Sequence, residues 1–232
     1  MIGIIAAMDS ELEAISQHMQ DVKEVKDGPI LIHEGTIDGQ KIVMALSGVG
    51  KVSAAMASTI LCLTYKPDLL LSVGVAGGLK EEQDVLDIVF SNGTVQADFD
   101  TSAVDGDEGY GLKAKTDEKV LALAEKAAKA LDYPFHEGLI ATQDLFMSRE
   151  EDYQKLFAHF PDSACAEMEG GAVASVAAAF GIPCLVIRSL SDVVVHHGNS
   201  MEYLTFKQIA SRRSGLFIEQ FCHELTEAQK SA

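Results

Sequence analysis

The sequence predicts an α/β fold: a single domain of three layers, with helices on both faces of a mixed, largely parallel central sheet. Three observations carry this. Short runs rich in β-branched residues alternate with helical patterns along the whole chain. Several of those runs are continuously apolar, as strands covered on both faces are. The 232 residues, 47 % of them hydrophobic, suffice for one sizeable core, and no linker divides them.

The predicted strands fall at residues 2–6, 30–34, 42–47, 69–73, 87–91, 137–141 and 183–190. Helices lie between them. Residues 9–19 open with an acidic first turn, 53–65 carry small and apolar side chains at helical spacing, and 117–131 are rich in Ala, Lys and Glu. Residues 150–159, 168–180 and 203–224 complete the set. Residues 95–115, rich in Asp, Gly and Ser and without a clear period, predict a long loop. Residues 225–232 predict a frayed tail to the one domain that spans 1–232. Ligands of such sheets collect beyond the carboxyl ends of the strands, so residues just after Ala6, Val73, Ala141 and Leu190 carry most weight.

Lys and Arg number 18 and Asp and Glu 35, a formal charge of −17. That balance repels nucleic acid and acidic membrane surfaces and leaves small neutral or cationic ligands as partners. Cys62, Cys165, Cys184 and Cys222 are scattered through apolar stretches without a C-x-x-C pair, as buried thiols in a reducing compartment would be. The start of the chain turns acidic at Asp9 and offers no basic leader, and no apolar run reaches the ~18 residues of a membrane span. The expected location is the cytoplasm.

Two glycine-rich stretches invite cofactor readings and fail them. Gly74, Gly77 and Gly78 break the spacing of a dinucleotide fingerprint, and no helix opens directly after them. In Ser47-Gly48-Val49-Gly50-Lys51-Val52, Ala45 stands where a phosphate loop needs its first glycine and Val52 replaces the hydroxyl that would hold magnesium. The first stretch is a structural turn or a loop approaching a ligand; the second is a strand-to-helix turn whose Val49 is placed to touch one. His196-His197 has no third ligand at metal spacing. No cofactor and no metal are expected.

The acids are more informative. Glu11 lies just after the first strand, either as a helix-start acid favoured by the macrodipole or as a catalytic carboxylate. Glu167-Met168-Glu169 leads into a helix with no charge from Gly170 to Gly181. Carboxylates beside so apolar a helix need partners, and either the helix cap or the vicinal hydroxyls of a ribose would serve. Arg188 sits inside the most apolar strand and must pair, with Glu11 or Glu167 as its obvious partner. Ser191-Asp192 ends that strand as a helix cap or as a site acid. Phe146 and Met147 suit core packing or the flat face of a base.

Taken in order, residues 3–11, 47–52, 74–79, 167–169 and 188–192 resemble the purine nucleoside phosphorylase and nucleosidase superfamily. The resemblance spans nearly the whole chain and is strongest to the bacterial 5′-methylthioadenosine/S-adenosylhomocysteine nucleosidases. It implies hydrolysis of an N-glycosidic bond. Glu11 resembles the base that activates water, Asp192 the acid that protonates N7 of adenine, Ser191 the hydroxyl that orients it, and Arg188 the group that helps hold the water. Met168 and Glu169 match ribose contacts, and Glu167 a further acid of the same pocket. Ala76 and Gly77 match the loop by base and ribose, Phe146 the ring stacked on the purine, and Met147 the residue whose backbone reads its edge. Met8, Val49 and Phe206 match apolar neighbours of ribose and 5′-thio group. Residues 98–104 resemble a loop lent by a second subunit, with Val104 where an aromatic is common, which implies a homodimer. Val75 stands where the family often has serine, and the segment after Asp192 is longer than usual. Cleavage of an aminodeoxyfutalosine, phosphorolysis and silent nucleoside binding are the alternatives.

Overall fold

The computed structural model describes residues 1–194 and 200–231, the side chains of 200–205 excepted. It is an α/β fold around one mixed ten-stranded sheet. The first half runs β1 (Ile2–Ala6), α1 (Asp9–Ser16), β2 (Gln20–Asp27), β3 (Ile30–Ile37), β4 (Gln40–Leu46), α2 (Lys51–Tyr65) and β5 (Leu69–Gly78). There follow β6 (Ile88–Asp100), α3 (Ser102–Asp105), a 3-10 turn (Gly106–Gly109), β7 (Tyr110–Lys115), α4 (Glu118–Ala130) and β8 (Phe135–Thr142). The chain closes with α5 (Glu150–His159), β9 (Ser163–Glu167), α6 (Gly170–Phe180), β10 (Cys184–Val193) and α7 (Ser200–Lys230).

Strand order is β10-β6-β8-β9-β5-β1-β4-β3-β2, with β7 on β6 and a further pairing of β10 with β5. That extra pairing closes β5, β10, β6, β8 and β9 into a ring. β1 lies parallel to β4 and β5, β5 to β10, and β8 to both β6 and β9; the remaining pairings are antiparallel. Apolar side chains of β1, β4 and β5 pack on α1 and α7 on one face and on α2 and α6 on the other, because these strands are apolar on both sides. Among the described residues no helix is long and apolar enough to cross a membrane.

Three expectations are corrected. Residues 95–115 are not a loop: β6 continues to Asp100 and pairs with β7, joined by α3 and the 3-10 turn. The polar composition hid a hairpin whose far end, 98–100, and much of β7 are exposed, while Val95 and Ala97 are buried. The helix expected over 203–224 is longer, since α7 continues to Lys230. Gln40 Nε2 donates to Thr226 and Gln229, and Thr226 Oγ1 to the Asp38 carbonyl, tying the last turns to the β3–β4 hairpin. Gly74, Gly77 and Gly78 form the end of β5 rather than a loop.

Candidate active site

A cleft opens where β1, β4, β5, β8, β9 and β10 end. Its floor and walls include Met8, Glu11, Val49, Ala76, Gly77, Phe146, Met147, Glu167, Met168, Glu169, Ser191 and Asp192. The motifs separated along the chain are thus brought together at strand ends, as the sheet geometry requires.

Glu11 meets its helix-start reading and also lines the cleft. As the third residue of α1 it reaches back to the helix start, and its Oε2 accepts from Ala7 N and Met8 N, each at 2.9 Å. Its Oε1 accepts from Val75 N at 3.2 Å, so the same carboxylate is also fixed against β5. With 2 % exposure, burial raises its pKa above the ordinary value, against the pull of Arg188 and the three backbone N–H groups. Gly74 makes this possible. A Cβ there would lie 2.7 Å from Glu11 Oε1.

The two acids around Met168 sit in different surroundings. Glu167 is the cap: its Oε2 accepts from Glu169 N at 2.9 Å and Gly170 N at 2.6 Å at the start of α6. The same carboxylate takes the Thr142 hydroxyl and Arg188 Nη2, in two short contacts. Glu169 precedes α6 but makes no cap bond with its side chain. It turns into the cleft, where Oε1 accepts from Gly50 N at 2.9 Å. Burial, and then the Glu167 charge, push its pKa up to about 7.

Arg188 pairs with Glu167, not with Glu11, and lies 4.0 Å from Glu169 Oε2. Its Nη1 donates to the carbonyls of Ser72 and Ile187 at 3.0 and 2.9 Å, and Nη2 to Ser72 Oγ at 3.0 Å. At 1 % exposure it stands behind the carboxylates and does not line the cleft.

Asp192 is a residue of β10, which runs on to Val193. The pairing of β10 with β5 shifts between Leu190 and Asp192, which sets Asp192 opposite Gly77. This bulge re-aims the side chain into the cleft. Ser191 Oγ, within hydrogen-bonding range of Asp192 Oδ1 at 2.9 Å and of the Ala76 carbonyl at 3.3 Å, ties the two segments. A Cβ on Gly77 would lie 3.3 Å from Asp192 Oδ2, so the bare backbone leaves the acid its place.

Two expected contacts are not among the described lining residues. Val104 is 87 % exposed on α3, away from the cleft of its own chain, and Phe206 is half-buried on α7. His196 and His197 lie outside the described residues. Tyr153, Leu145, Ala166 and Val194 line the cleft without having been singled out by sequence. Tyr153 stands in the first turn of a polar helix, where nothing local marks it as a cleft residue.

A three-layer sheet with an acid-lined cleft at its strand ends defines a member of the phosphorylase superfamily, whose family model matches residues 1–223. A nucleosidase of Actinobacillus succinogenes named 5′-methylthioadenosine/S-adenosylhomocysteine nucleosidase is 38 % identical over 92 % of this chain and 94 % of its own length. The enzyme of that name from Anoxybacillus flavithermus is 35 % identical over 97 % and 99 %. This chain belongs to the 5′-methylthioadenosine/S-adenosylhomocysteine nucleosidase family. Among solved structures, the Colwellia psychrerythraea nucleosidase in complex with adenine superposes with a TM-score of 0.90 at 31 % identity, covering 97 % of this chain and 95 % of that one. The futalosine hydrolase of Helicobacter pylori gives 0.89 at 31 % identity, covering 96 % and 97 %.

Proposed function

We propose that this chain hydrolyses the N-glycosidic bond of 5′-methylthioadenosine and S-adenosylhomocysteine, releasing adenine and the 5-thio-substituted ribose. The observation that carries the reading is Glu11, from α1, and Asp192, near the end of β10, in one cleft, each held by its own hydrogen bonds. The C1′–N9 bond breaks with its electron pair moving to adenine, Asp192 delivers a proton to N7, and a water oxygen bonds to C1′ as Glu11 takes its proton. General acid–base work of this kind needs two carboxylates in different protonation states.

Glu169 accepts from the ribose hydroxyls beside Met168, and Phe146 lies on the purine. Met8 and Val49 give the 5′-thio group an apolar wall. Arg188 acts through Glu167 and is a positioning residue. Phosphorolysis is disfavoured because Glu11, Glu167 and Glu169 surround one buried arginine already paired to Glu167, a field that opposes an incoming phosphate. The likeness to futalosine hydrolase supports aminodeoxyfutalosine as a second substrate. The protein works in the cytoplasm as a homodimer.

Adenine release from methylthioadenosine, adenosylhomocysteine and aminodeoxyfutalosine, each with and without phosphate, tests the reading. Release without phosphate is expected; release only with phosphate overturns it. Asp192→Asn is expected to lower kcat at least ~10²-fold while nucleoside binding persists. Normal turnover in that variant removes Asp192 as the acid.

A further inference from the structure

Tyr153 is a buried phenol in the cleft wall that the chemistry above does not use. Its ring packs among Leu79, Val95, Ala97, Ala141, Leu156 and Phe160, and its hydroxyl donates to the Met147 carbonyl at 2.6 Å. A second tie closes the same segment. Arg149 forks onto Asp152, with Nε to Oδ2 at 3.0 Å and Nη2 to Oδ1 at 2.8 Å, and Asp152 N donates back to the Arg149 carbonyl at 3.0 Å. Residues 147–153, which lead into α5, are therefore tied at two points, and both Met147 and Tyr153 line the cleft.

We propose that Tyr153 determines base specificity: by holding the Met147 carbonyl it fixes an acceptor at the base end of the cleft and selects a purine that presents an N–H there. The inference rests on the adenine-nucleoside reading above. A carbonyl oxygen has two lone pairs, so the bond from Tyr153 leaves one for the ligand. An exocyclic 6-amino group donates to it. A 6-oxo group places oxygen against oxygen, and the pinned peptide cannot turn its amide N–H inward to compensate. Desolvation, reinforced by Asp192 and Asp152, pushes the phenol up to about 12, so it stays protonated and remains a donor throughout the working pH range. Sites built around one hydrogen-bond polarity discriminate mainly by leaving the wrong ligand's polar groups unpaired.

The test is Tyr153→Phe, which deletes only the hydroxyl. KM for methylthioadenosine is expected to rise about 3- to 10-fold with kcat within about 2-fold, as the loss of one ordinary hydrogen bond implies. The preference for adenine over hypoxanthine, measured as the ratio of free-base Kd values, is expected to fall about 10-fold. An unchanged ratio, or a loss confined to kcat, overturns the proposal. A wild-type measurement guards against a variant that folds poorly: purine lacking the 6-amino group is expected to bind at least about 10-fold more weakly than adenine. Equal binding of the two overturns the proposal without any variant. Free-base binding also separates the claims, since a wild type that prefers adenine and cleaves no nucleoside refutes the hydrolase reading and supports this one.

Discussion

Glu167 and Glu169 stand two residues apart on the same turn, yet physical context gives them opposite duties. Glu167 spends its lone pairs on two backbone N–H groups, a threonine hydroxyl and a guanidinium, so its charge is fully compensated. Glu169 has one backbone donor and a guanidinium at 4.0 Å, and its pKa rises from 4.5 to about 7. The folded protein holds this proton more tightly than the unfolded chain does. The stability it confers is complete below pH 4.5 and is lost as pH rises through about 7. Glu169→Gln cannot ionise and keeps Gly50 bonded, so it is expected to melt above the wild type at pH 8 and level with it near pH 4.5. The gap at pH 8 corresponds to on the order of 1–3 kcal/mol, or a few degrees. Thermal melts of both proteins across that range check this; a gap independent of pH removes the titration of Glu169 as its cause. Ribose binding should weaken in the same variant at every pH.

At the scale of elements, the catalytic geometry depends on how closely α1 and β10 approach the end of β5. Glycines set that distance. At Gly74 a methyl group would meet Glu11 Oε1 at 2.7 Å and Cδ at 3.3 Å, while the carboxylate is held in place by the N–H groups of Ala7, Met8 and Val75. Gly74→Ala must therefore push the base out of its cradle and is expected to lower kcat/KM about 10²-fold, the usual worth of a general base. Steady-state kinetics together with a melt decide the matter: loss of activity with little loss of stability is the expected pattern, and full activity refutes the tight approach.

The same strand explains what sequence could and could not reveal. The apolar runs of β1 and β10 and the periodic helix α5 were legible with correct or near-correct limits because burial on both faces, or helical spacing, leaves a strong pattern. β2, a polar edge strand, and β9, which has no β-branched or aromatic residue, leave none, and β7 was hidden in a stretch of loop-like composition. Glu11 and Asp192 were ambiguous locally because both sit where caps also sit. What places both side chains at one cleft, the register shift at Leu190–Asp192 and the bond from Val75 N to Glu11, is tertiary. Tyr153 left no signal, since its partner is a backbone carbonyl.

For the whole molecule, the apolar surface is unevenly placed. Val52, Met56 and Leu63 on α2, Phe99 on β6, Val104 on α3, Leu112 on β7 and Phe180 on α6 are all exposed. α2 and α6 pack side by side, and a shallow hollow between them is lined by Val52, Ala55, Ala172, Val176 and Ala179, with Lys51, Gln96, Asp144 and Ser175 also on its walls. Exposed apolar side chains on α2 and α6 of a chain of charge −17 are a poor surface for a monomer and a good one for a two-fold contact between copies. A homodimer through this face would also account for Val104, which is 87 % exposed and remote from its own cleft, if residues 98–104 complete the cleft of the other copy. Light scattering is expected to give twice the chain mass of 24.9 kDa. Val52→Asp changes a side chain that is 82 % exposed, so it should spare the fold of the single chain while desolvating a charge in the interface. The variant is expected to shift toward monomer and to lose activity with it, regaining both as protein concentration rises. A variant that stays dimeric places the interface elsewhere, and a fully active monomer removes residues 98–104 from the working site.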